Sequence, residues 1–138
     1  MTLYQVAVHH AKTPFMPRQP DNPLTLVFTF ACDLPDGTSA EQVAGWTFRT
    51  FNIDLDALER DHTTPGAGAA FPLACLYRQR RLRSLSVGDV LSVTVEGRTT
   101  WLACEPFGWL RIGTPHVAPG CLLTAVTISQ HLRRASDA

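Results

Sequence analysis

Three short runs, DVLSVTVEG, RTTWLACEP and FGWLRIG, follow one another with only Glu96-Gly97 and Pro106 between them. Each is rich in β-branched and aromatic residues, and connections this short force successive strands antiparallel. A three-stranded meander is therefore expected in the second half of the chain. Gly88-Asp89, just ahead of the first run, reads as the turn into it. Glycine accepts a positive φ, and the aspartate carboxylate can take up neighbouring backbone N–H groups.

A meander needs partners to cover it, and the upstream chain supplies them. Residues 3–10 alternate, with Tyr4, Val6 and Val8 on one side, and read as a half-buried strand. A proline-rich loop follows, in which the rings remove ladder donors. LTLVFTFA, residues 24–31, is nearly continuously apolar and reads as a central strand covered on both faces and paired with the first. Thr38 with Glu41 forms a capping-box pattern before Val43, Trp46, Phe48 and Phe51, which predicts an amphipathic helix over residues 39–51. NIDLDALER reads as a second short helix or an acidic turn, DHTTPGAGAAFP as a loop, and residues 72–84 as a short helix begun by Pro72 or an irregular approach to the meander. CLLTAVTISQ, residues 121–130, alternates as a final strand, and residues 131–138 read as a frayed tail. The expected fold is one α+β domain spanning residues 1–138: a mostly antiparallel sheet, or a partial small β-barrel, packed on one or two helices.

Composition narrows the function classes. Twelve basic and twelve acidic residues cancel, so no long-range field steers the molecule to DNA or an anionic membrane, and any nucleic-acid site must be local. No segment approaches the roughly 18 apolar residues of a membrane span, and a reduced, cytoplasmic chain is the expectation. The four cysteines show no C-x-x-C pair or zinc spacing, so no metal is expected. No phosphate-binding loop, dinucleotide fingerprint, nucleophile elbow or HExxH motif is present, and no cofactor is implied.

Three constellations remain. Arg78, Arg80, Arg81 and Arg83 place four guanidiniums in six residues, a set of rigid forks suited to phosphate or carboxylate, with Ser84 beside them. The structural alternative is a solvated face paired with the acidic run Asp54, Asp56, Glu59 and Asp61. Trp109, after Gly108, is either a stacking platform for a base or peptide or a core residue. Cys104 with His9 or His116 would make a nucleophilic pair only if folding joined them.

The run Tyr77-Arg78-Gln79-Arg80, then Arg83-Ser84-Leu85-Ser86-Val87-Gly88-Asp89-Val90, then Phe107-Gly108-Trp109 resembles the YodL-like domain and similar short actinobacterial proteins of mobile elements. WTFRTFNID, residues 46–54, is similar to a stretch that precedes the motif in some of them. The resemblance implies association with plasmids, integrative elements or phage, and supplies no reaction. The chain is thus expected to be a non-enzymatic accessory protein that binds nucleic acid or an acidic protein surface through Arg78, Arg80, Arg81, Arg83, Ser84 and Trp109. The competing expectation is a small enzyme or ligand-binding domain with a pocket near Cys104 and Trp109.

Overall fold

A computed structural model describes residues 1–118. The predicted final strand at residues 121–130 and the tail at 131–138 lie outside the described residues. The elements are β1 (Thr2–Ala11), β2 (Leu24–Leu34), α1 (Ala40–Asn52), α2 (Leu55–Arg60), α3 (Ala67–Gln79), β3 (Val90–Val95), β4 (Arg98–Glu105), β5 (Gly108–Ile112) and the two-residue β6 (Val117–Ala118). The sheet runs β5-β4-β3-β1-β2-β6. The first five strands pair antiparallel, and β6 joins the β2 edge in parallel. Among the described residues β5 does not close onto the far edge, so the sheet they form is open and not a closed barrel.

The meander forms as its sequence demands. Glu96 (φ 51) and Gly97 (φ 77) are both left-handed, the geometry that matches a two-residue hairpin loop to strand twist. One face of the sheet carries Val6, Val8, Phe28, Phe30, Leu91, Val93 and Leu102 against Val43, Phe51 and Tyr77 of the helices. Phe51 and Tyr77 stack at 4.1 Å, and Phe28 meets both edge-on. Each of these three rings is almost unexposed, and its burial stabilises the fold by about 1.5–3 kcal/mol. Leu58 of α2 packs outside this layer on Ala70 and Ala74 of α3. The reverse face of the sheet holds a smaller cluster of Ala11, Leu24, Val90 and Ala103.

Four expectations are corrected. β2 is not covered on both faces: Phe28, Phe30, Cys32 and Leu34 are buried, while the intervening Ala31 and Asp33 are exposed. The cap of α1 is Ser39 with Gln42, because the Thr38 hydroxyl instead donates to Pro35 O at 2.6 Å and closes the preceding turn. Much of the supposed loop before Pro72 is already helix, since α3 begins at Ala67 after Gly66 (φ 77). Pro72 sits inside that helix. The carbonyl it leaves without a donor is that of Gly68, and both residues are exposed, so water satisfies it.

Candidate functional site

The arginine segment leaves the C-terminus of α3 and enters the turn before β3, and its four side chains meet different fates. Arg83 turns inward. Its Nη1 and Nη2 donate to Asp89 Oδ2 and Oδ1, each at 2.6 Å, while Nη2 also donates to Ala11 O and Nη1 to Ser84 O. Asp89 is fully buried and accepts two further bonds, from the Ala11 and Ser86 N–H groups at 2.8 Å. This carboxylate therefore joins the end of β1 to the turn before β3. The Asp89 carbonyl accepts from the Cys104 N–H, and the Gly88 N–H donates back to Cys104 O. Gly88 (φ 93) runs so close to the Met16 carbonyl that a Cβ would collide with it.

Tyr77 extends the network. Its hydroxyl donates to Arg83 O at 2.6 Å, which is an acceptor only, so the contact at 2.8 Å with His10 must have His10 Nε2–H as donor. Burial and the neighbouring Arg83 cation push the His10 pKa down to about 4, against the pull of Asp89. Burial pushes the Tyr77 phenol up. His10 is neutral here, and its proton position is fixed by the chain around it.

Arg78 is committed as well: its guanidinium donates to Ile53 O, past the end of α1. One residue earlier, the Asn52 amide grips both backbone groups of Leu85, donating to its carbonyl at 2.9 Å and accepting its N–H at 2.8 Å. Residues 46–54 and 83–90 are thus bonded to each other.

Arg80 and Arg81 remain. Arg80 is half-buried with its Nε unpartnered, and Arg81 is exposed with φ 56. Ser84 is exposed nearby in sequence. The anticipated pairing of the cluster with the acidic run does not form among the described residues: Asp61 pairs with Arg49, outside the cluster, at 3.2 Å. Trp109 is half-buried, packed on the main core and edge-on to Phe48 of α1 at 6.3 Å. Its exposed neighbour is Phe107, at 99% exposure on the β4–β5 turn.

Cys104 and Trp109 are register partners across β4 and β5. The Cys104 thiol is 4% exposed and pushed up to about 11 by burial, with Asp89 and Glu105 adding to the shift. That direction keeps it protonated, opposite to what a nucleophile requires. His9 is occupied by Val90 O and packs on Trp101, and His116 is exposed in the stretch before β6. Comparison with protein-family models, curated proteins and solved structures returns no match to this chain.

Proposed function

We propose that the chain is a non-enzymatic accessory protein of a mobile genetic element that docks an acidic partner on the Arg80–Arg81 corner. The observation that carries this reading is Arg81, an exposed cation in a left-handed backbone conformation. That conformation is the usual one for the residue just past a helix C-cap, so the end of α3 fixes the backbone that carries Arg81. The residue sits between two anchors, Arg78 on Ile53 and Arg83 on Asp89, which hold the segment that carries Arg80 and Arg81. The mobile-element context rests on the resemblance of the R-S-L-S-V-G-D-V and F-G-W stretches.

With Arg78 and Arg83 committed, two guanidiniums are left to meet an anion. A nucleic-acid complex built on two phosphate contacts would show a salt slope of only about −2, which is weak binding. An acidic protein surface, recognised by one or two carboxylates, suits this corner better. The test is binding of a fluorescent acidic peptide and of a duplex oligonucleotide to the protein and to the Arg80→Ala/Arg81→Ala variant. Loss of peptide binding at unchanged melting temperature is expected. Equal binding by the variant, or no binding of either probe by the parent, overturns the proposal.

A further inference from the structure

A cleft of about 450 Å³ lies between the end of β2, the middle of α1 and residues 64–65, on a different part of the molecule from the arginine corner. This falls within the roughly 300–1,000 Å³ of small-molecule sites. Leu34, Pro35 and Pro65 supply apolar walls, and Trp46 supplies an aromatic one. The walls are fixed. The Trp46 Nε1–H donates to Pro65 O at 3.0 Å, and Gly66 (φ 77) lies so near that a Cβ would meet Trp46 Nε1 at 2.8 Å and Leu34 Cδ2 at 2.7 Å. Gly45 keeps the helix side of the cleft open, since a Cβ there would find no atom within 4 Å.

The polar groups on the rim divide into donors and acceptors. The Gln42 carbonyl oxygen is used by the Ser39 N–H in the capping box, which leaves its amide NH₂ as a donor. The Thr38 hydroxyl proton is spent on Pro35 O. Arg49 Nη2 lies 3.2 Å from Asp61 Oδ2. Asp61 Oδ1 accepts from the Thr63 and Thr64 N–H groups, while the buried Oδ2 makes no hydrogen bond and has the Arg49 guanidinium as its neighbouring charge. The Arg49 side chain is 39% exposed, so the guanidinium N–H groups that do not face Asp61 are open to another anion. An apolar cleft with an aromatic wall, the Gln42 NH₂ as a neutral donor and the Arg49 guanidinium as a cationic one is complementary to a flat apolar body carrying one negative group.

We propose that this cleft binds a small aromatic carboxylate, its ring against Trp46 and Leu34 and its carboxylate on the Arg49 guanidinium. The experiment is a heteronuclear NMR titration of the full chain with phenylacetate and, separately, with the uncharged phenylacetamide. Phenylacetate is expected to move the Trp46 indole N–H resonance saturably, with the amide binding at least about tenfold more weakly. Arg49→Gln should erase that preference. Gly45→Leu, which fills open space on an exposed helix position without threatening the fold, should abolish binding. No shift at about 10 mM phenylacetate, equal binding of acid and amide, or binding that survives Gly45→Leu overturns the proposal.

Discussion

Replacing Arg83 with Met retains an apolar stem and deletes the guanidinium. What remains is the Asp89 carboxylate, fully buried, with the Ala11 and Ser86 N–H groups as its only donors. Removing one member of a buried ion pair costs about 3–5 kcal/mol, because the survivor is left charged and underserved in a poor solvent. The Arg83 side chain is 32% exposed, so water can partly replace it and the lower end of that range, about 3 kcal/mol, is expected. Against a total stability of about 5–15 kcal/mol, this removes a large share. Urea unfolding followed by far-UV circular dichroism should show the midpoint falling with unchanged slope, and melting should drop by roughly 10 °C. Adding Asp89→Leu should restore only part of the loss, since the Ala11 and Ser86 N–H groups then lack an acceptor at about 1–3 kcal/mol each. Arg81→Met, by contrast, should stay within about 0.5 kcal/mol of the parent. If Arg83→Met lost less than about 1 kcal/mol while abolishing partner binding, the assignment of Arg83 to the fold and Arg81 to the surface would be reversed.

Three further outcomes follow from the same geometry. Because the folded pKa of His10 is depressed from 6.5 to about 4, the unfolded chain binds the extra proton first; stability is full above pH 6.5 and falls as pH drops toward 4. His10→Gln should flatten that part of a pH–stability profile, with the similarly depressed His9 accounting for a residual slope. Ser39→Ala should cost about 1 kcal/mol of stability by removing the cap of α1, while Thr38→Ala leaves the cap intact; a thermal melt in which Thr38→Ala is the more damaging would refute the assigned register. Gly88→Ala should destabilise far more than Gly97→Ala, although both glycines have positive φ. The former drives a Cβ into the Met16 carbonyl, whereas the latter meets nothing within 4 Å and carries only the backbone penalty of about 1 kcal/mol.

The strands were legible because their signal is local. Alternation in β1 and the Glu96-Gly97 turn depend on neighbours a few residues apart, so pattern and structure agree there. The start of α3 was not, since Gly66-Ala67-Gly68-Ala69-Ala70 carries little apolar periodicity and Pro72 imitates a first helical residue. The cap of α1 slipped by one residue because Thr38-Ser39 and Glu41-Gln42 offer two overlapping boxes, and only the competing Pro35 carbonyl decides between them. In the arginine segment a count of charges overstates the free surface. Which guanidinium turns inward depends on Ala11, 72 residues away, and on Ile53, 25 residues away, contacts with no local signature. The one available clue was Arg83 and Asp89 bracketing the S-L-S-V-G turn. The Trp46 cleft left no trace in sequence, because its walls come from three separate segments.

This division bears on what the R-S-L-S-V-G-D run does in this chain. Within R-S-L-S-V-G-D, Arg83 and Asp89 form the buried pair, Leu85 is held by Asn52, Ser86 donates its N–H to Asp89, Val87 accepts from Phe15, and Gly88 admits the Met16 carbonyl. All seven positions are engaged in building the turn, Ser84 through its carbonyl on Arg83 Nη1, and only Ser84 presents an exposed side chain. A sequence that keeps these residues keeps the junction between β1, α1 and β3, whatever it binds. In this chain the run is therefore spent on the turn, and the two proposed binding surfaces lie outside it: at Arg80 and Arg81 just before it, and in the cleft beside Trp46. Chains that share the turn and differ at Arg80, Arg81 and Arg49 are expected to share the fold and differ in partner. Transplanting residues 80–82 from such a chain should move acidic-peptide binding while leaving the urea midpoint in place, and a midpoint that moved with it would tie the corner to folding after all.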